Sequence, residues 1–366
     1  MTGSNEGRPH RERTRAVRVG RVQIGGGAKV AVQSMLKCRT SDVERALKEI
    51  EALERAGCDI VRVAVRGLEE IPALREIRGR TKMPLVADVH FDPKVALASI
   101  EAGVDKIRVN PGTIRDRGRL VEVLSAARER GVAVRVGVNS GSLPRDIAEK
   151  YPSHSADALV AAAERGLKAA EEAGLEAVVV SLKSSDVMAT VEAYRRFASL
   201  YDMPLHLGIT EAGPPLSSAS RSGVGLGILL AEGIGDTIRV SATGPSVVEV
   251  EIAYEILCSL GLRSRGPFII SCPTCGRLRV SDLPRIVEEV KSRLYALGAK
   301  RPIKVAVMGC EVNGPGEARE ADVGIACGSG FGVLFRKGRV VGRVPEGEMV
   351  EALVAEVERI LCTLEE

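Results

Sequence analysis

One phrase recurs along the chain and restricts its fold more than any other feature. Ala56-Gly57-Cys58-Asp59-Ile60-Val61-Arg62-Val63 returns as Ala102-Gly103-Val104-Asp105-Lys106-Ile107-Arg108-Val109. Ala173-Gly174-Leu175-Glu176-Ala177-Val178-Val179-Val180 follows the same plan, as does Gly233-Ile234-Gly235-Asp236-Thr237-Ile238-Arg239-Val240 with its glycine displaced by one. Each copy ends an Ala/Glu-rich helical stretch at a glycine suited to the left-handed cap position. A β-branched run follows that is too short for a helix and typical of a buried parallel strand. With the other runs of this kind, eight strands are expected: Val30–Ser34, Ile60–Val65, Leu85–Val89, Ile107–Val109, Ala133–Val138, Ala177–Ser181, Leu205–Ile209 and Thr237–Ser241. Amphipathic stretches such as Ser41–Ala56 and Ala156–Ala173 separate most of them. Eight alternating β and α units over about 250 residues fit an α/β fold of the (β/α)8 TIM-barrel type. An open dinucleotide-binding sheet would need a Gly-rich fingerprint after its first strand, and none is present.

A barrel of this kind builds its active site at the C-terminal ends of its strands. Those ends are polar here: Gln33, Ser34, Arg62, Asp88, His90, Arg108, Asn110, Arg135, Asn139, Lys183, His206, Glu211, Arg239 and Ser241. Four arginines interrupt strands that would otherwise be Val and Ile. Each could pair with a carboxylate inside the barrel, because a buried charge needs a partner. Together with Lys183 they could equally hold a multiply charged anion, most simply a diphosphate, through several planar donor forks. His90 lies among acids and could orient a ligand or bond locally. Glu211 is a candidate acid/base group, or else a counter-ion for the arginines. Asn139 precedes a helix start whose amides could also hold phosphate.

The phrase stops near Arg265, and the chain divides into a basic tail (1–14), a barrel (15–264) and a small α+β domain (265–366). In the last, strands are expected at Phe268–Ser271, Ile303–Met308, Val323–Ala326 and Gly332–Phe335, and helices at Leu283–Leu297 and Glu346–Leu361. This quarter of the chain holds five of eight cysteines. Cys272-Pro273-Thr274-Cys275 is a CxxC turn, and Cys310 stands with Glu317 in a Gly/Pro-rich loop. Three readings are compatible: a zinc ribbon short of its second CxxC, a thioredoxin-like dithiol without its βαβ setting, or an iron–sulfur cluster with one non-cysteine ligand. Cys58, Cys258 and Cys362 read as core residues. Cys38 stays open, and Cys327 is an alternative fourth ligand to Glu317.

Fifty-two Lys and Arg against 48 Asp and Glu leave a net charge of only +4, and there is no Trp and only five each of Tyr and Phe. That balance excludes bulk electrostatic binding of nucleic acid and stacking surfaces for single strands. No apolar run approaches a membrane span, and the Arg-rich start lacks the apolar core of a signal peptide. The cytoplasm is the expected compartment, where cysteines serve as ligands or core residues rather than disulfides.

Several motifs carry a closer likeness: Val32-Gln33-Ser34-Met35, Leu85-Val86-Ala87-Asp88-Val89-His90-Phe91, Val138-Asn139-Ser140-Gly141-Ser142-Leu143, Ser181-Leu182-Lys183, Leu205-His206-Leu207-Gly208-Ile209-Thr210-Glu211-Ala212-Gly213, Asp236-Thr237-Ile238-Arg239-Val240-Ser241, and Ser271-Cys272-Pro273-Thr274-Cys275-Gly276-Arg277 with Met308-Gly309-Cys310 and Asn313-Gly314-Pro315-Gly316-Glu317-Ala318. From about Arg15 to the C-terminus the chain resembles the 4-hydroxy-3-methylbut-2-en-1-yl diphosphate synthases of the non-mevalonate isoprenoid pathway, in their bacterial two-domain form. The resemblance implies a [4Fe–4S] cluster on Cys272, Cys275, Cys310 and Glu317, reduced by ferredoxin or flavodoxin. It implies 2-C-methyl-D-erythritol 2,4-cyclodiphosphate as substrate, held by Arg62, Arg108, Arg135, Asn139 and Lys183, with Asp88, His90, Arg239 and Ser241 nearby and Glu211 moving a proton. It also implies a head-to-tail homodimer in which one subunit's cluster domain closes over its partner's barrel. The alternative is a non-redox barrel enzyme on a phosphorylated substrate with a structural zinc tail. One departure stands out: the family continues Gln-Ser-Met with Thr-Asn, whereas this chain has Leu36-Lys37-Cys38.

Overall fold

The structure is a computed structural model describing residues 9–114, 116–152, 155–297, 302–310, 318 and 320–363. It divides into two compact units, Met1–Arg263 and Ser264–Glu366.

The first unit opens with an antiparallel hairpin, β1 (Val17–Val19) and β2 (Val22–Ile24). Eight parallel strands follow: β3 (Ala31–Met35), β4 (Ile60–Val65), β5 (Leu85–Val89), β6 (Lys106–Val109), β7 (Ala133–Asn139), β8 (Val178–Lys183), β9 (His206–Leu207) and β10 (Thr237–Ile238). Their order is β8-β7-β6-β5-β4-β3-β10-β9, and a bridge between Val180 and Leu205 brings β8 to β9 and rounds the ring. This is the expected (β/α)8 barrel, with β9 and β10 shorter than their apolar runs.

The repeated phrase explains its own geometry. Gly57, Gly103, Gly174 and Gly233 all take positive φ, between 64 and 86°, where an L side chain would be strained. The aspartates of the phrase then tie down the neighbouring strand. Asp59 accepts from the Val32 N–H at 2.8 Å, Asp105 from Leu85 at 2.8 Å and Asp236 from Leu205 at 2.7 Å. Helices start just as locally. Asp42, Asp92, Asp116, Ser155 and Asp186 cap five of them by accepting a first-turn N–H.

Two features depart from expectation. The hairpin was not foreseen; Val17, Val19 and Ile24 pack on Ala31, Ile60, Val86, Ala133 and Val179 and close the floor of the barrel with apolar surface. Part of the Arg-rich start, which its charge would leave solvated, is also anchored. His10 is buried, the Arg11 N–H donates to the Gly233 carbonyl, and the Thr14 hydroxyl donates to Asp236 at 2.8 Å.

The second unit is a five-stranded sheet in sequential order: β11 (Pro267–Ser271), β12 (Ile303–Met308), β13 (Val323–Gly328), β14 (Phe331–Arg336) and β15 (Arg339–Pro345). The first three strands are parallel and the last two antiparallel. Helices Leu283–Ala296 and Met349–Thr363 cover one face through Val290, Leu294, Leu353 and Val357 against Val305, Val307 and Ile325. Strand β15 was not expected. It is an edge strand with mostly exposed residues, so it carries no alternation of apolar side chains. The last helix begins at Met349, after a 3-10 turn at Glu346–Glu348.

Candidate active site at the barrel mouth

Inward-facing positions alternate along each strand. Above the apolar floor the next inward positions carry Arg62, Asp88, Arg108 and Arg135, all buried. Asp88 is the local counter-ion. It lies 3.4 Å from Arg108 Nη1, 4.0 Å from Arg62 Nε and 3.6 Å from His90 Nε2. Burial alone would raise its pKa, but Arg62, His90 and Arg108 together hold it well below the usual carboxylate range. His90 Nε2 sits 2.6 Å from Arg108 Nη1. Arg108 Nη2 donates to the Gly137 carbonyl at 3.1 Å and, with the Asn139 amide turned so that its oxygen faces the guanidinium, to that oxygen at 3.3 Å.

Lys183 lies beside Asn139 in strand register. Burial, then Arg135 and Arg62, push its ammonium well below the ordinary lysine range. Arg135 is 2% exposed, and its Nε and Nη1 find no protein partner. Arg239 donates to Ser241 Oγ at 2.7 Å and to Glu249 Oε1 at 3.1 Å. The pairing that the sequence left open is therefore mixed: three arginines have carboxylate neighbours, and Arg135 has none within ion-pair distance among the described residues.

Sequence reasoning missed Glu249. Only 1% exposed, it accepts from Ser34 Oγ at 2.9 Å, Lys37 Nζ at 2.6 Å, Arg239 Nη2 at 3.1 Å and the Ala242 N–H at 3.1 Å. The departure at Leu36-Lys37-Cys38 thus has a structural role, because Lys37 braces the carboxylate that orients Arg239. Lys106 was overlooked as well, masked by the more conspicuous arginine two residues on. Its Nζ is fully buried and unpartnered.

Glu211 is exposed and has φ of 55°, a left-handed conformation rare for a side-chain-bearing residue. Its carbonyl accepts from Arg221 Nη1 at 3.3 Å. Backbone strain held at a strand end of this kind is a mark of a functional position.

In the second unit, Cys272 follows β11 and Cys310 follows β12, two adjacent parallel strands. The Gly309 N–H donates to Cys272 Sγ at 3.1 Å. A Cβ at 309 would run into the Leu278 methyl and lie 3.0 Å from that of Leu283, so a side chain here would push the leucine ends aside next to the two turns. Cys310 is buried and Cys275 exposed. Cys327, at the end of β13, is buried, and its thiol is pushed up to about 12 by burial and by Cys272, Glu346 and Cys310. Glu317 lies outside the described residues. Among those described, no three His, Cys, Asp or Glu side chains converge closely enough to hold a metal ion. The donor chemistry nonetheless suits an iron–sulfur cluster: soft sulfurs on adjacent strand ends, one already receiving a backbone N–H. No helix of the described residues is long and apolar enough to cross a membrane.

Residues 14–254 match the family model of the GcpE TIM-barrel domain, and residues 268–359 match that of the GcpE protein C-terminal domain. The 4-hydroxy-3-methylbut-2-en-1-yl diphosphate synthase (flavodoxin) of Thermodesulfovibrio yellowstonii is 52% identical over 349 residues, covering 95% of this chain and 99% of that protein. The enzyme of the same name from Aquifex aeolicus is 52% identical over 350 residues, covering 96% and 97%. Among solved structures, Yersinia pestis dihydropteroate synthase in a sulfonamide drug complex has a TM-score of 0.50 at 15% identity, covering 68% of this chain and 98% of that one. This last likeness is one of fold alone. By both domains and nearly its full length, the chain belongs to the GcpE family, the 4-hydroxy-3-methylbut-2-en-1-yl diphosphate synthases.

Proposed function

We propose that the chain carries out the reductive ring opening and dehydroxylation of 2-C-methyl-D-erythritol 2,4-cyclodiphosphate to 4-hydroxy-3-methylbut-2-en-1-yl diphosphate. The observation that carries this reading is the excess of buried cations at the barrel mouth of a member of this family. Arg62, Arg108, Arg135 and Lys183 outnumber Asp88 within a space that a doubly charged cyclic diphosphate would neutralise. Asn139 adds an amide to the same rim. Asp88 and His90 hold Arg108 in place, while Arg239 and Ser241 form a second, mutually bonded edge. Glu211, exposed at the end of the β9 segment, moves the proton.

Cys272, Cys275, Cys310 and Glu317 would hold a [4Fe–4S] cluster. When bound, that cluster supplies the electrons one at a time and an iron able to polarise a substrate oxygen. The reaction breaks one ring C–O bond and releases a hydroxyl as water, with two electrons and protons entering. The electron donor is flavodoxin, which the names of the relatives carry, with ferredoxin as the other candidate. The acting form is a homodimer in the cytoplasm.

Oxygen-free purification followed by turnover of the cyclic diphosphate with reduced flavodoxin tests the reading. Product formation by brown protein carrying about four irons and matching sulfide per chain is the expected result. One zinc without sulfide, or no turnover by iron-loaded protein, overturns it.

A further inference from the structure

We propose that anion binding at the barrel mouth is coupled to proton uptake by its buried lysines, with Lys106 as a charge-regulating residue beneath the diphosphate site. This rests on the anion-binding reading above and adds a linkage that the reading does not require.

Lys106 occupies an inward position of β6, in register with Val86 and Ala133, which line the apolar floor. Its side chain therefore rises from the floor toward the bowl. It is 0% exposed, and its Nζ meets no donor or acceptor among the described residues. The charged and titratable groups around it come from every side of the ring. Arg62 comes from β4 and Arg135 from β7, and one inward position above Lys106 stand Asp88 of β5 and Arg108 of its own strand. Lys183 comes from β8, His206 from β9, and Arg239 follows β10. Strand β3 offers only the amide of Gln33, whose oxygen and nitrogen are both buried and unbonded, and the hairpin offers only apolar groups.

The imbalance is plain. Asp88 is shared by Arg62 and Arg108, and Glu249 is already engaged by Lys37 and Arg239. Arginines keep their protons at any accessible pH, so a buried positive excess is relieved at the lysines and at His206. Burial, Arg135 and Arg62 all push Lys106 well below the ordinary ammonium range, and His206 is likewise held neutral, by burial first. Without a counter-anion the buried positive excess thus falls on lysines that hold their protons weakly. An arriving dianion supplies the negative charge that the fold omits, and the lysines regain protons. In a cyclic diphosphate each phosphorus carries one ester and one anhydride bridge, which leaves a single acidic oxygen ionised well below neutrality, so the protons come onto the protein. They enter together with a substrate whose reduction consumes protons.

Calorimetry on cluster-loaded protein without reductant tests the linkage, titrating the cyclic diphosphate in PIPES and in Tris at one pH. The expected result is a buffer-dependent heat equivalent to about one proton taken up, and an affinity that falls about tenfold per pH unit for each proton. Lys106→Met and Lys106→Arg should each lose at least half of that uptake, the second while keeping the charge. Sulfate, also fully ionised, serves as a second probe. A buffer-independent heat, or unchanged uptake in both variants, overturns the linkage while leaving the substrate reading intact. If the cyclic diphosphate gives no heat but sulfate binds with proton uptake, the substrate reading falls and the linkage stands. No binding of either probe overturns both.

Discussion

Replacing Glu249 by Gln tests whether the barrel mouth is held by a buried charge or merely by packing. Four donors converge on this carboxylate: two neutral, Ser34 and the Ala242 N–H, and two charged, Lys37 and Arg239. Gln keeps the shape and one acceptor oxygen but turns an NH2 toward donors. Removing one partner of a buried ion pair costs about 3–5 kcal/mol. The Lys37 side chain is 35% exposed, so solvent screens its share to under about 1 kcal/mol; Arg239, at 15%, accounts for most of the loss. The retained amide oxygen returns about 1 kcal/mol. The net expectation is a loss of about 3 kcal/mol, which for a barrel of this size lowers the thermal midpoint by about 6–12 °C. Circular dichroism melts of the two proteins measure it. A double-mutant cycle with Arg239→Met should show a coupling of about 2 kcal/mol. Since Glu249 braces Arg239 rather than the reacting atoms, KM should rise more than kcat falls. A midpoint drop below about 2 °C, or strictly additive variants, would refute the argument.

Three further perturbations probe other parts of the chain. Glu211→Gln keeps the left-handed backbone and an exposed side chain, so the midpoint should hold within about 2 °C while turnover falls at least about 100-fold; near-normal turnover would remove Glu211 from proton transfer. Gly309→Ala pushes a methyl into Leu278 and Leu283 beside Cys272. Overpacking of about 1–3 kcal/mol should spread the cysteine turns and at least halve the iron retained per chain, and full iron content would contradict this. Asp236 is pushed up to about 6 from 3.8 by burial, against the bonds from Leu205 and Thr14. Its folded form holds the proton more firmly than the unfolded chain, so wild-type stability relative to Asp236→Asn should grow by about 2–3 kcal/mol as pH falls from 7 toward 4. Urea midpoints across that range check the sign; a flat or falling difference would be decisive against it.

How much of this was legible depended on whether the signal was local. The barrel strands were readable because each lies inside a phrase whose glycine, aspartate and β-branched run act within a few residues. The same phrase exposed Arg62, Arg108 and Arg239, which break an apolar pattern. The floor hairpin was missed although Val17, Val19, Val22 and Ile24 alternate around a glycine, because two three-residue strands carry too little apolar surface to stand out. Strand β15 was invisible for the opposite reason: an exposed edge has no face to bury. Glu249 sits in a helix more than 200 residues from Ser34 and Lys37, and only ring closure brings them together. Cys272 and Cys310 could be associated by their resemblance, but the N–H···S bond from Gly309 that draws their turns together needed the register of β11 and β12.

The barrel interior carries the same lesson about cost. A (β/α)8 barrel ordinarily fills its centre with branched aliphatic layers, and this one does so only at the floor, where the hairpin seals it. Lys106 already breaks the floor layer, and one inward position higher Arg62, Arg108 and Arg135 replace that packing with charges whose desolvation their one carboxylate neighbour among the described residues, Asp88, does not fully repay. Such an arrangement cannot be selected for stability, because apolar residues of similar volume would serve better. The surrounding α/β shell is large enough to absorb the penalty, and under the proposed function an anion that fills the bowl would recover it. The unpaired atoms of Arg135, Lys106 and Gln33 define, as a deficit, the negative charge and the hydrogen bonds that a ligand of the proposed kind would bring.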